Sequence, residues 1–174
     1  MLDTLIQSKT RLKLLLRFFL NPESSAYLRG LAQEFEESTN SVRIELNRFE
    51  EAGLIEAHKS GNKKMYKVNT KFPMFAELQR IAFNHFGIDK ILEQVVQKLG
   101  DVQAVYLTGD LARGLDSSII DLSLIGNDID RQFLAKAVEK AEKMIERRIR
   151  TMVFNLDEEI VIEEPKLLIY GKEG

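Results

Sequence analysis

Three polar side chains with the chemistry to read nucleic-acid bases recur within one short stretch of the sequence, namely Asn40, Arg43 and Asn47. Their spacing of i, i+3 and i+7 places all three on one face of a helix. An arginine can pair with the acceptors of guanine, and an asparagine can pair with the edge of adenine. The residues therefore predict a helix whose outer face contacts the major groove of duplex DNA, with Ser38 and Thr39 at its start.

Apolar residues around this stretch predict the elements that must position it. Leucine and phenylalanine recur at helical spacing, with Ser8 suited to cap the first helix and Ser24 or Ser25 the second. Gly53 stands where the left-handed residue after a helix is expected, and a turn with glycine joins two strands after it. In chain order, the predicted elements are helices over 9–20, 27–35 and 39–52 and strands over 54–59 and 63–68.

This order of elements is that of a winged helix-turn-helix, and the sequence resembles bacterial winged-helix regulators over about residues 8–70. The matching segments are 31–35, 38–43, Leu46 and 49–55. The resemblance implies that the third helix enters the major groove and that Lys63 and Lys64 in the hairpin contact phosphates. Winged helices also serve as protein-interaction modules, and a solvated helix face carries similar polar residues, so both alternatives stay open.

Charge divides the chain unevenly. Up to Lys71 there are 12 Lys+Arg and 9 Asp+Glu, a net charge of +3, whereas the remainder has 13 and 18, a net charge of −5. A basic first part can bind polyanions by releasing their counterions, and an acidic second part repels them. The asymmetry predicts different partners for the two parts.

Composition excludes several classes of protein. The 174 residues are 44% hydrophobic and 30% charged, which is typical of a folded globular chain. No cysteine is present, which removes disulfides, thiol catalysis and zinc fingers and fits a reducing cytoplasm. Arg17 interrupts the first apolar stretch, so we expect no signal peptide, no membrane segment and a cytoplasmic location.

An apolar connector follows the predicted hairpin over residues 72–99. Aromatic and aliphatic residues predict one helix starting near Pro73 and ending at Phe86, and a second over 88–99. This is more apolar surface than one small core needs. Either a homodimer interface or packing between domains would bury it.

The last part of the chain predicts strands alternating with helices. Strands are expected over 102–107, 117–126 and 149–154, with a short helix after Gly109 and a long helix over 131–147 capped by Asp130. Residues 88–155 resemble the small bacterial nucleotidyltransferase fold of the polymerase-beta type. The matching residues are Gly109, Ala112-Arg113-Gly114, Ser118 and Asp121.

Two departures from that family bear on catalysis. The resemblance implies a phosphate-binding serine and paired metal-binding aspartates, but Asp110 and Ile119 stand at two of these positions. A carboxylate repels a triphosphate, and an isoleucine cannot bind a metal ion. We therefore expect no catalysis, metal or cofactor, and a structural role for Arg113. An unusual metal site formed by Asp110, Asp116 and Asp121 is the alternative.

Together, the sequence predicts an α+β protein. We expect a winged helix-turn-helix over 1–71, a helical connector over 72–99 and a degenerate nucleotidyltransferase-like domain over 100–174. The expected function is transcription regulation by a homodimer bound to double-stranded DNA, with the C-terminal domain as scaffold, dimerisation surface or sensor of a small-molecule effector. An active nucleotidyltransferase and a protein-interaction adaptor are the alternatives.

Overall fold

A computed structural model describes residues 1–171 of the chain, so the last three residues of the predicted C-terminal domain lie outside the described residues. The fold is α+β, as expected. The chain divides into two compact units, Met1–Ala82 and Phe83–Gly174. This division falls inside the segment predicted as a connector. No helix among the described residues combines the length and apolarity needed to cross a bilayer.

The N-terminal unit contains the three predicted helices and the hairpin. Its elements are α1 (Leu2–Leu5), α2 (Lys9–Leu20), β1 (Ser25–Tyr27), α3 (Leu28–Phe35), α4 (Thr39–Glu51), β2 (Ile55–Ser60) and β3 (Lys63–Val68). The strands form one antiparallel sheet in the order β1-β3-β2. Leu14, Phe18 and Phe19 of α2 are fully buried, as are Leu31 of α3 and Val42 of α4. Apolar side chains of all three predicted helices are therefore buried.

A short strand occupies the place where a helix cap was predicted. Ser25 belongs to β1, whose backbone pairs with β3, and α3 begins after Tyr27 without a side-chain cap. Ser24 instead accepts a hydrogen bond from the guanidinium of Arg17. The prediction of a serine cap was wrong because pairing with β3, a contact distant in sequence, holds this segment extended.

Helices α5 (Phe75–Phe86) and α6 (Ile88–Gln94) occupy the predicted connector. Helix α5 starts two residues later than predicted, because a turn closed by a hydrogen bond from Phe75 N to Phe72 O precedes it. Gly87 separates the two helices with φ of +79°. Helix α6 is shorter than predicted, and a 3-10 turn at Val96–Lys98 follows it.

The C-terminal unit is built on a four-stranded sheet. Its elements after α6 are β4 (Val102–Thr108), α7 (Gly109–Ala112), β5 (Ile119–Gly126), α8 (Arg131–Ile145), β6 (Arg148–Phe154) and β7 (Leu167–Gly171). The strand order is β6-β5-β4-β7, in which β5 and β6 are parallel and the other pairs are antiparallel. The sequence left the last apolar run unassigned. It forms β7 because β4 offers it a free edge.

Candidate nucleic-acid interface and charged cleft

The outer face of α4 carries the residues predicted to read bases. Thr39, Asn40, Arg43 and Asn47 are all exposed. None of these four side chains makes a hydrogen bond or ion pair with any other residue in the described part of the chain. Their donors and acceptors are therefore available to a ligand.

Both ends of α4 are closed by local hydrogen bonds. Ser38 caps the helix, since its hydroxyl accepts from Ser41 N at 3.1 Å. At the other end, Gly53 adopts φ of +78°, and Leu54 N donates to Phe49 O at 2.9 Å. This is the left-handed termination expected from the sequence. The closed ends hold the backbone of the exposed face in a regular helix.

An acidic side chain on the inner face of α4 fastens this helix to α2. Glu45 is 5% exposed and accepts two hydrogen bonds from the Arg11 guanidinium, at 2.9 and 3.2 Å. Arg48 also donates to it, at 3.0 Å. Burial acts to raise the pKa of Glu45, but the hydrogen bond and charge of Arg11, with the charge of Arg48, outweigh it and lower that pKa. The carboxylate therefore stays ionised and orients α4.

Two acidic side chains near the turn between α3 and α4 are also paired. Arg17, itself buried, donates to Glu34 at 3.0 Å, and Lys13 donates to Glu37 at 3.0 Å. The negative charge that these carboxylates bring close to α4 is thus offset by cations of α2. The surroundings of the outer face of α4 therefore carry less net negative charge than the acidic residues in the nearby sequence imply.

The two predicted hairpin lysines lie on opposite faces of the sheet, because they are adjacent residues of one strand. The Lys63 ammonium lies 4.1 Å from the ring centre of Tyr27 on β1. Lys64 lies on the other face, where it donates to Glu50 of α4 at 3.2 Å. The hydrogen bond to Glu50 raises the pKa of Lys64. Both side chains are exposed, so both can reach a phosphate.

Two residues of this surface were missed by the sequence reasoning. Lys59 on β2 is exposed and directly opposite Lys64 in the register, which places a second cation beside Lys64. Ile44 on α4 is 44% exposed, and it places a large apolar side chain on a face of the helix that is otherwise polar. Its position four residues after Asn40 was the available signal, because that spacing shares a helix face.

A second candidate site is a cleft of about 620 Å³ in the C-terminal unit. Its lining includes Gly109, Arg113 and Asp121 from the sequence motif, and Arg150 from β6. The structure therefore brings Gly109, Arg113 and Asp121 of the motif together. The remaining lining residues come mainly from β6 and the segment before β7, namely Thr151, Met152, Phe154, Val161, Glu163, Glu164 and Pro165.

Asp121 is engaged by an arginine that the sequence reasoning did not identify. Arg150 lies opposite Asp121 in the parallel register and donates to both carboxylate oxygens, at 2.6 and 2.9 Å. The hydrogen bond to Asp121 raises the pKa of Arg150. Such a bidentate pair holds the carboxylate in one orientation and offsets its charge.

Gly109 approaches this carboxylate more closely than any other residue type could. A Cβ placed on Gly109 would lie 2.5 Å from Oδ2 of Asp121, and Gly109 has φ of +68°. Both the contact and the left-handed backbone exclude a side chain here. The glycine of the motif thus gives space to the carboxylate of the motif.

Neither Ser118 nor Asp110 is among the lining residues of this cleft, although the charge of Asp110 helps to raise the pKa of Arg150. Ser118 lines a separate, open depression with Asp116 and Arg147, where Arg147 donates to Asp116 at 2.9 Å. Asp110 is exposed at the start of α7. Across residues 1–171, no group of three or more His, Asp or Glu side chains is arranged to hold a metal ion.

Comparisons with known proteins give little beyond this geometry. No protein-family model matches the chain, and no curated protein matches it. Among solved structures, the chain is similar to reduced HlyU from Vibrio cholerae N16961, with 15% sequence identity and a TM-score of 0.36. That similarity covers 53% of this chain and 82% of the other. The function must therefore be judged from the residues of this chain.

Proposed function

We propose that the protein is a transcription regulator whose N-terminal unit binds duplex DNA as a winged helix-turn-helix. The single observation that carries this proposal is the outer face of α4, where Asn40, Arg43 and Asn47 are exposed and engaged by no other described side chain. On the inner side of the same helix, the acidic Glu45 is fully paired. Unengaged donors on a rigid helix are what readout of a major groove requires.

The hairpin supports the same orientation on DNA. With α4 in the major groove, β2 and β3 lie along the sugar-phosphate backbone. Lys59, Lys63 and Lys64 then supply cations from both faces of the hairpin. These contacts fix the position of the protein on the duplex and carry no sequence information.

Selection from a pool of random duplexes at two salt concentrations tests this function. Enrichment of one short sequence, with affinity that falls at the higher salt, is the expected result. Retention of duplexes without enrichment would reduce the protein to a nonspecific DNA binder. Absence of binding at both salt concentrations would overturn the proposal.

Regulators of this type match a two-fold operator by forming a homodimer, and we include this arrangement in the proposal. Met74 and Ile81 are exposed large apolar side chains at and near α5, and a second copy would cover such surface. Sedimentation at micromolar concentration tests the dimer, and the spacing of half-sites in the selected duplex provides an independent check.

For the C-terminal unit, we propose a nucleotidyltransferase-like scaffold without catalytic activity, in which the cleft around Asp121 accepts a small-molecule effector. The support is chemical, since Arg150 offsets the charge of Asp121, and Asp110 stands at the sequence position that the resemblance assigns to a phosphate-binding serine. Two-metal transfer needs carboxylates free to bind cations on both sides of the reacting phosphorus. Mg²⁺-dependent transfer of labelled nucleotide by the full chain would overturn this part.

A protein-interaction adaptor is the second candidate, and two observations favour it. Ile44 places an apolar group on the outer face of α4, and Glu50 already pairs with Lys64. A protein partner would bury the isoleucine, and its binding would not require Lys64 to be available for a phosphate. If Arg43→Ala abolished capture of a partner protein while the wild-type chain bound no duplex, the adaptor would replace the regulator.

A further inference from the structure

Ile44 is a large apolar side chain on a helix face that is otherwise polar. It is 44% exposed, whereas Val42, Leu46 and Phe49 on the inner face of α4 are buried. The core therefore does not account for it. Leaving an aliphatic side chain in water costs free energy, and this cost is removed when a ligand covers the side chain.

The spacing along α4 places Ile44 within the predicted base-reading surface. It follows Asn40 by four residues and precedes Asn47 by three, and side chains at these separations are neighbours about 5–6 Å apart on a helix. Asn40 and Asn47 are both exposed. A helix that presents the two asparagines to base edges must present Ile44 between them.

Only one apolar group is available at the edges of base pairs in the major groove, which is the 5-methyl group of thymine. We infer that Ile44 contacts a thymine methyl group, in a base-pair step next to those read by Asn40 and Asn47. The inference rests on the proposed DNA binding and specifies its preference. Asparagine selects adenine and an aliphatic side chain selects thymine, so we expect A·T pairs beside the guanine that Arg43 reads.

Glu51 continues the same stripe, four residues after Asn47, and is exposed. A carboxylate in the groove can accept from the amino group of cytosine and is repelled by phosphate. Along this row of side chains on α4, the amide of Asn40 is followed by the aliphatic Ile44. The amide of Asn47 and the carboxylate of Glu51 come after it. The inference assigns the aliphatic position alone.

The test compares thymine with uracil, which differ only by this methyl group. The probe is the duplex most enriched from the random pool, with each thymine replaced in turn by deoxyuridine. One replacement should weaken binding of the wild-type chain about three- to fivefold, the effect of removing one buried methyl group. The Ile44→Ala variant should bind the thymine duplex more weakly by a comparable factor. In this variant, replacing that thymine with deoxyuridine should have no further effect.

A matched control separates this contact from a general loss of apolar surface. Leu5→Ala removes another exposed apolar side chain of the same unit and should leave the sensitivity to uracil unchanged. Equal sensitivity of the wild-type and Ile44→Ala chains at every thymine would overturn the inference, as would insensitivity of the wild-type chain. Failure of the wild-type chain to bind any duplex would overturn the proposed function itself, and with it this inference.

Discussion

The outer face of α4 and the cleft around Asp121 differ in whether their arginine side chains are paired. On α4, Arg43 is exposed and has no partner among the described residues. In the cleft, Arg150 is paired with both oxygens of Asp121. The first arrangement keeps a guanidinium available to a ligand, whereas the second uses one to hold a carboxylate. The comparison shows that the availability of a charged group, rather than its presence, indicates where a site can act.

The largest expected effect concerns the unengaged arginine. Replacing Arg43 with alanine should weaken binding of the selected duplex by about 1–3 kcal/mol, since a bidentate contact with guanine would be lost. Fluorescence anisotropy with the selected and a scrambled duplex measures this loss. The scrambled duplex should be affected far less.

Arg48→Ala is the matched control for that experiment. Arg48 lies on the same helix, but its guanidinium is directed to Glu45. The variant should change affinity little. If Arg48→Ala and Arg43→Ala weakened binding equally, the difference drawn between unengaged and engaged arginines would be invalid.

The next effect tests the packing of the cleft. Gly109→Ala should destabilise the C-terminal unit by about 2 kcal/mol, because it forces a side chain into a left-handed backbone and against Asp121. Urea unfolding measures the free energy of unfolding. In the Asp121→Ala background, the same substitution should cost less, because only the backbone contribution remains. Equal costs in both backgrounds would show that the carboxylate does not constrain this position.

A smaller effect is expected at the buried carboxylate behind α4. Glu45→Gln should lower the free energy of unfolding by about 1–2 kcal/mol, since Arg11 and Arg48 lose a charged partner but remain partly solvated. Thermal unfolding near neutral pH measures this change. Arg43→Ala, on the exposed side of the same helix, should leave the unfolding temperature nearly unchanged.

The pH dependence of the Glu45 contribution has a defined sign. Because the folded-state pKa of Glu45 is lowered, its stabilisation is complete above the unfolded value of about 4.5 and is lost as the pH falls through the folded pKa. The wild-type chain should therefore lose its advantage over Glu45→Gln in acid. A difference in stability that stayed constant down to pH 2 would contradict the assignment of an ionised carboxylate.

The smallest effect concerns the hairpin. Lys64→Ala should weaken binding to all duplexes alike and reduce the slope of log affinity against log salt by about 1. Glu50→Gln should act in the opposite direction by about twofold, because it releases Lys64 from its partner. If Lys64→Ala affected only one sequence, the lysine would be reading bases rather than binding phosphate.

Local signals predicted α4 and the hairpin with little error. Ser38 caps α4 and Gly53 ends it as the sequence indicated, and β3 spans the predicted residues. These elements are specified within a few residues, by capping hydroxyls, by a glycine at positive φ and by apolar periodicity. The prediction failed at Ser25, where pairing with β3 replaces the expected helix cap.

Pairing between distant residues decided which charges are available. The sequence shows Arg43 and Arg150 as similar exposed cations, and it shows Asp121 as a free motif aspartate. Only the parallel register of β5 and β6 places Arg150 beside Asp121, and only the packing of α2 on α4 places Arg11 beside Glu45. No local pattern encodes such contacts, because they depend on strand register and helix packing across 29 and 34 residues.

The sequence by itself therefore determined the order of the elements, the caps of α4 and the polar residues on its outer face. The reason is that helix periodicity, capping and turn chemistry act over a few neighbouring residues. The tertiary structure decided that Glu45 is buried and paired, that Lys63 lies against Tyr27 and Lys64 against Glu50, and that Asp121 is held by Arg150. Each of these outcomes depends on which side chains, far apart in the sequence, the fold brings into contact. No short segment of the sequence specifies those contacts.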